Sequence, residues 1–247
     1  MKKEVKNIYL YDDQGVDVES LDQLKATCEA LLGKNYTIKT ISAEDVARGL
    51  WCHDAALFCM PGGADLYYVK KLHGRGNDCI KKYVYEGGAF LGICAGAYYA
   101  SLRVEFDKGG PLEVVGPREL GFFKGTCRGP VLAPYSYTTK AGCRAAALTT
   151  SLCDVPRTVV YYHGGGFFEH AETCPQTRVI ATYEHDGPAI IFTRCGKGRA
   201  VLSGVHFEFN PLVMDQHDPY LQKIMHELVA SNETRIILGT HIFAMLV

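Results

Sequence analysis

Charge of one sign is missing from this 247-residue chain: 26 Lys and Arg stand against 27 Asp and Glu, a formal charge of −1. A surface so balanced has no overall electrostatic pull, so neither nucleic acid nor a membrane is expected as a partner. The basic pairs Lys2/Lys3, Lys70/Lys71 and Lys81/Lys82 are too short to alter this and read as solvated faces. Long apolar runs are missing as well. The C-terminal stretch IILGTHIFAMLV is interrupted by Gly239, Thr240 and His241, well short of the ~20 apolar residues of a membrane span, and reads as a segment that docks to close the core. The opening MKKEVKNIYLYDDQG offers only a short strand-like alternation before two aspartates, not the apolar centre of a secretory signal. Ten cysteines are present, yet no pair has C-x-x-C spacing, and Cys and His do not cluster at zinc-site intervals. The thiols are therefore expected to be reduced and the protein cytoplasmic, with no metal and no cofactor.

What the chain does have is a hydrophobic content of 47%, enough to bury a core, and we read residues 1–247 as a single domain. Its first hundred residues alternate strand and helix. NIYLY (7–11) is a short apolar strand. Ser20 and Gln23 form a capping-box pattern ahead of Leu21, Leu24, Cys28, Leu31 and Leu32, which share one helical face, and Gly33 is the stop. YTIKTI (36–41) alternates like a strand, and Ser42 is the next cap. AALFCM (55–60) is apolar without alternation, as in a strand covered on both faces, and ends at Pro61-Gly62-Gly63. A helical pattern over 77–86, the strand AFLGI (89–93) and a helix from Ala95 follow. Such repeated βα units predict an α/β fold, a doubly wound and mostly parallel sheet with helices on both faces. From Arg103 the pattern changes to short β-type runs broken by Gly and Pro, including GPREL, GPVLAPYSYTT, CRAAAL, TVVYYHGGGFF and VIATYE, predicted as an antiparallel extension. AIIFTRC and RAVLSGV, joined by Gly196-Lys197-Gly198, predict a hairpin. A single amphipathic helix is expected over 218–232.

Chemistry concentrates at three strand ends. Gly92-Ile93-Cys94-Ala95-Gly96 has the form G-x-nucleophile-x-G, in which small neighbours permit a sharp turn that pushes the central side chain into a cleft. The N–H groups of the following helix favour a thiolate. The same residues also suit a small buried cysteine packed between glycines. A thiol nucleophile needs a base, and the base an acid behind it. In SGVHFEF, His206 follows a strand and Glu208 lies two residues on, so both point the same way from an extended segment. Of the other histidines only His163, in YYHGGGFF, also ends a strand, and it stays open as an alternative. Backbone N–H groups of Gly63, in MPGGAD, and Ala95 are the natural oxyanion donors. Asp65, Tyr67, Tyr68, Tyr98, Tyr99, Phe122 and Phe123 lie near these motifs and predict an aromatic pocket with one carboxylate, suited to a small amine- or amide-bearing molecule; Tyr98 and Tyr99 equally suit helix packing.

FCMPGGAD, GICAGAYYAS and LSGVHFEFNP resemble the class I glutamine amidotransferase superfamily, whose Cys-His-Glu triad sits on a flavodoxin-like sheet. With ELGFFKGTCRGP, YYHGGGFF and GKGRAVLSGVHFEF added, the chain looks more closely like the amidotransferase-like N-terminal domain of biotin–protein ligases, over about residues 6–238. The resemblance implies Cys94 as nucleophile, His206 as base, Glu208 as its orienting partner, and Gly63 with Ala95 as the oxyanion hole. It carries two departures. Glutamine-hydrolysing members usually place a Gln four residues after the nucleophile, where this chain has Tyr98, so hydrolysis of free glutamine is not expected. No ligase catalytic domain or adenylate loop is present within the sequence, so biotinylation is not expected either.

Overall fold

Strand and helix alternate through the first hundred residues of the computed structural model, which describes residues 6–247. The elements are β1 (Asn7–Tyr11), α1 (Val18–Leu32), β2 (Thr37–Ile41), α2 (Ala43–Arg48), β3 (Ala55–Met60), α3 (Asp65–Leu72), α4 (Arg75–Tyr85), β4 (Ala89–Ile93) and α5 (Ala95–Ala100). Every residue of β4 is buried, which is why its sequence shows no alternation. One element starts earlier than the capping pattern predicts. Asp17, not Ser20, caps α1, its carboxylate accepting the Ser20 N–H at 2.8 Å. Aspartate caps as well as serine, and with the helix starting at Val18 the Ser20 side chain is released to the interior. Helix α3, which the sequence reading did not include, follows the Pro61-Gly62-Gly63 turn.

The second half adds β5 (Ser101–Phe106), β6 (Val114–Pro117), β7 (Phe123–Gly129), β8 (Arg144–Thr150), β9 (Arg157–Tyr162), β10 (Phe167–Phe168), β11 (Thr177–Tyr183), β12 (Gly187–Cys195), β13 (Gly198–Ser203), α6 (Met225–Ala230) and α7 (Asn232–Ala244). The main sheet runs β2-β1-β3-β4-β13-β12-β11-β8-β9. Its first five strands are parallel, in the flavodoxin-like order, and the remaining four continue antiparallel. The predicted α/β architecture is thus observed. Hairpin β12–β13 closes one residue tighter than expected, since Gly198 already pairs with Cys195.

Three segments differ from the expectation. Strands β10-β7-β5-β6 form a separate four-stranded sheet, in which β5 and β7 run parallel. Short runs broken by Gly and Pro show that strands exist but not which distant strand each will pair with. GPVLAPYSYTT is not a strand beyond Gly129; residues 130–143 form a loop, where Pro130 and Pro134 lack the N–H a ladder would need. The expected helix over 218–232 is divided into a 3₁₀ turn (Leu221–Lys223) and α6, followed by α7. The division has a packing cause. Leu221, Ile224 and Leu228 join a small cluster with Tyr161 and Phe209, whereas Leu238, Ile242 and Phe243 of α7 pack into the main core, so the chain must change direction between them.

The main core lies on both faces of the sheet. Phe58, Met60 and Phe90 point to one side, and Leu57, Cys59 and Leu91 to the other. This double burial leaves the carboxyl ends of β3, β4 and β13 as neighbouring strand ends at one rim, where the chemistry predicted from the sequence sits.

Candidate active site

Cys94 alone makes the turn between β4 and α5, with φ +50° and ψ −106°. A non-glycine residue held there costs roughly 1–3 kcal/mol and persists only where its surroundings determine it. Here the Cys94 N–H donates to the Ser203 carbonyl at 2.8 Å, and the Cys94 carbonyl accepts from the N–H groups of Ala97 and Tyr98 at 3.0 Å each. The flanking glycines are sterically required. A Cβ at Gly92 would stand 2.6 Å from the Gly96 carbonyl oxygen, and one at Gly96 would stand 2.2 Å from that of Met60. Helix α5 has only six residues, fewer than two turns, so the helix field expected to favour a thiolate is a short one.

His206 lies just beyond β13, its N–H donating to the Tyr161 carbonyl at 2.8 Å. Its ring Nδ1 is 2.7 Å from Glu208 Oε1, with both side chains buried. Burial disfavours charge on this ring, but the Glu208 carboxylate and the adjacent Cys94 side chain outweigh it, and its pKa is pushed up to about 10. The segment is held from outside: Thr27 donates its hydroxyl to the Glu208 carbonyl at 2.8 Å, and Arg235 donates to the Phe207 carbonyl at 2.9 Å. Glu208 Oε2 is buried with no partner among the described residues.

The turn after β3 approaches from the other side. Gly62 accepts the Asp17 N–H and the Tyr68 hydroxyl, at 3.0 Å each, on its carbonyl, and donates its own N–H to Ser20 Oγ at 2.9 Å. Gly63 has φ +146°, and a Cβ there would collide with the Gly15 carbonyl oxygen at 2.0 Å, so no other residue fits. Among the described residues neither the Gly63 nor the Ala95 N–H meets an acceptor. Ser20 is the site residue that the sequence reading missed. Besides accepting from Gly62, its hydroxyl lies 3.5 Å from Glu208 Oε1, so it joins the turn to the carboxylate. No local signal distinguishes it from a capping serine.

Two small cavities flank the Cys94 sulfur. One, of about 20 Å³, is bordered by Asp65, Tyr98, Val104, Phe106, Tyr135 and Tyr137 beside Gly63 and Ala95. The other, of about 40 Å³, is bordered by Asp17, Ser20, Lys140, His163, His206 and Phe209. Tyr135 borders both. Asp65 is buried and accepts from Arg118 Nε at 2.8 Å; burial raises its carboxyl above the ordinary range despite the guanidinium. Tyr98 donates its hydroxyl to the Gly164 carbonyl at 3.2 Å.

The other expected pocket residues stand elsewhere. Tyr99 turns its hydroxyl to Asn77 Oδ1 at 2.6 Å, Phe122 packs on Phe90 and Phe123 on Phe168, and none of the three borders either cavity. Closeness in sequence to a motif does not determine which face of an element a side chain takes. His163 does border a cavity, but its Nε2 is bonded to the Ala141 carbonyl at 3.1 Å. Burial pulls its pKa down to about 4, against the Ala141 bond and with help from nearby His206. Its own carbonyl accepts from the Cys94 thiol at 3.6 Å.

Comparison with known proteins bears on the family and the fold. The family described as "Biotin-protein ligase, N terminal" matches residues 6–246. The chain is 31% identical to the biotin–protein ligase of Schizosaccharomyces pombe, over 97% of its own length and 38% of that protein. It is 42% identical to an uncharacterized protein of Chlamydia muridarum, over 66% of its own length and 64% of that one. The chain therefore spans less than two thirds of either relative. A ThuA-like protein of Bacteroides uniformis shares the fold, with a TM-score of 0.57 at 9% identity, covering 96% of this chain and 90% of that one. With a match running nearly end to end, the chain belongs to the family of biotin–protein ligase N-terminal domains.

Proposed function

We infer that this domain is a cysteine-dependent amide hydrolase, or an acyl or amido transferase, acting on a small molecule through a thioester. The observation that carries this reading is the elbow cysteine standing beside an imidazole whose far nitrogen is 2.7 Å from a fully buried carboxylate. With Nδ1–H donated to Glu208, Nε2 is the nitrogen that takes the thiol proton, and the raised pKa of the ring keeps it there, leaving Cys94 as a thiolate beside an imidazolium. The sulfur then adds to the carbonyl carbon, and the oxyanion formed is stabilised by the free N–H groups of Gly63 and Ala95. His206 returns the proton to the leaving amine as the C–N bond breaks, which leaves an acyl group on Cys94 for water or an acceptor amine to remove. Glu208 keeps the ring in one tautomer and favours its charged form.

Tyr98 argues against free glutamine as the substrate, and the name of the yeast relative describes a protein of which this chain matches 38%, so ligation is not part of the proposal. The decisive experiment is intact-mass analysis after incubation with a panel of small amides and thioesters. An acyl adduct on Cys94, absent in Cys94→Ala, is expected; no adduct across the panel, together with a Cys94 no more reactive than the other nine thiols, overturns the reading. A second reading, a ligand-binding module without turnover, is favoured by the contact of the Cys94 thiol with the His163 carbonyl. Thermal stabilisation by a bound amide or amine that is undiminished in Cys94→Ala, without any adduct in the parent protein, would select it.

A further inference from the structure

The enclosed space beside Cys94 is small, and its two cavities are partly open to solvent. They measure about 20 and 40 Å³, room for a few water molecules at roughly 10–15 Å³ of such volume each. Tyr135, from the loop 130–143, borders both, together with Gly63 and Cys94. Its ring sits in an aromatic surround: Phe106 at 5.7 Å, Tyr137 at 4.7 Å and the His163 ring at 4.6 Å between centroids. The loop has neither strand nor helix of its own. It is held by the Tyr162 hydroxyl, which accepts from the N–H groups of Val131 and Leu132, by the Ala141 carbonyl on His163, and by an ion pair of Lys140 with Glu19 at the start of α1. Besides these polar ties Val131, Leu132 and Tyr135 pack against the core, and the Lys140–Glu19 pair is partly exposed, where such pairs contribute about 0–1 kcal/mol.

The charge balance of the same chamber limits what can replace the ring. Its only ionisable carboxylate, Asp65, is already paired with Arg118 at 2.8 Å, and both are buried. Val104, Phe106, Tyr98 and Tyr137 supply the rest of the wall. A zwitterionic amino-acid tail would bring two charges against this wall, where the one carboxylate is already paired and only Arg118 Nη2 lacks a partner among the described residues, and burying unpaired charge is strongly unfavourable.

Resting on the thioester reading above, we propose that Tyr135 occupies the acyl position of this site until the substrate displaces it with an uncharged alkyl or aryl acyl group. The loop 130–143 then acts as the lid, and the acyl carbon is delivered between Cys94 and the Gly63 and Ala95 N–H groups.

The test is the rate of Cys94 modification, read by peptide mass spectrometry, with three electrophiles of matched intrinsic reactivity toward free cysteine: iodoacetamide, a neutral N-benzyl haloacetamide and a zwitterionic haloacetyl amino acid. The benzyl reagent is expected to modify Cys94 at least tenfold faster than the zwitterion. Tyr135→Ala is expected to raise the rate of the two bulky reagents severalfold while iodoacetamide changes less than twofold. Lys140→Ala, which removes a half-buried side chain at the cavity rim and none of the main core, should act in the same direction and covers the case in which Tyr135→Ala fails to fold. A zwitterion that reacts as fast as the benzyl compound would overturn the assignment of the acyl group. Bulky-reagent rates unaltered by release of the loop would overturn the lid. Because iodoacetamide needs no acyl pocket, its selectivity for Cys94 and its dependence on His206 report separately on the thioester reading itself.

Discussion

The two halves of the main sheet contribute to the site in different ways. The parallel half, β1 to β4 with β13, supplies the Gly62-Gly63 turn, Cys94 and the His206-Glu208 segment, each within five residues of a strand end. The antiparallel half and its loop supply the cover: Tyr135, Lys140, Tyr161 and His163. In the first, position follows from local chain geometry, because a parallel strand must end at the rim where its crossover begins. In the second, position follows from pairings between segments far apart in sequence. The proposed reacting groups thus sit in turns at the ends of core strands, while the proposed cover includes a loop without strand or helix.

Breaking the rigid side should have the largest effect. His206→Ala is expected to lower Cys94 acylation about 10²–10⁴-fold, the usual range for loss of a positioned base; a change under tenfold would leave the ring without the role proposed for it. Next is the seam where the halves meet. A Cβ at Gly165 would lie 1.6 Å from the Gly204 carbonyl oxygen, backbone against backbone, so Gly165→Ala should destabilise by about 3 kcal/mol, the upper end of overpacking penalties, read by chemical denaturation. Ser20→Ala strands the buried Gly62 N–H and should cost about 1–3 kcal/mol, with a modest fall in acylation rate. Ser20→Thr, which keeps the hydroxyl, should recover the rate in part.

The smallest effect concerns pH. Because the folded-state pKa of His206 lies above its ordinary 6.5, near 10, its contribution to stability is complete below about pH 6.5 and is lost as pH rises toward 10. Thermal melts should accordingly fall by a few degrees over that window. Glu208→Gln, which removes the carboxylate that holds the proton on the ring, should flatten the slope; an unchanged slope would assign the pH dependence to other groups.

Much of the rigid half was legible before any coordinates. The strands at 7–11, 55–60 and 89–93, the cap at Ser42, the cysteine elbow and the H-x-E segment each carry a signal within a few residues of themselves. Ser20 was legible only as a cap, because its contacts with Gly62 and Glu208 bridge 42 and 188 residues of chain. Phe122 and Phe123 looked like pocket residues because they follow a conspicuous motif, yet each is turned into the core by strands that the sequence could not pair. Tyr135 was passed over within an apparent β-run that is a loop.

Composition, periodicity and the glycine positions were sufficient to determine the parallel α/β frame and the sharp turn at Cys94, since both depend on sterics and hydrogen bonds among near neighbours. Only the tertiary structure decided that a second sheet forms apart from the first, that Asp65 is paired with Arg118, and that Tyr135 borders both cavities beside Cys94. Those outcomes depend on which distant surfaces exclude water from one another, a property of the packed whole rather than of any short segment.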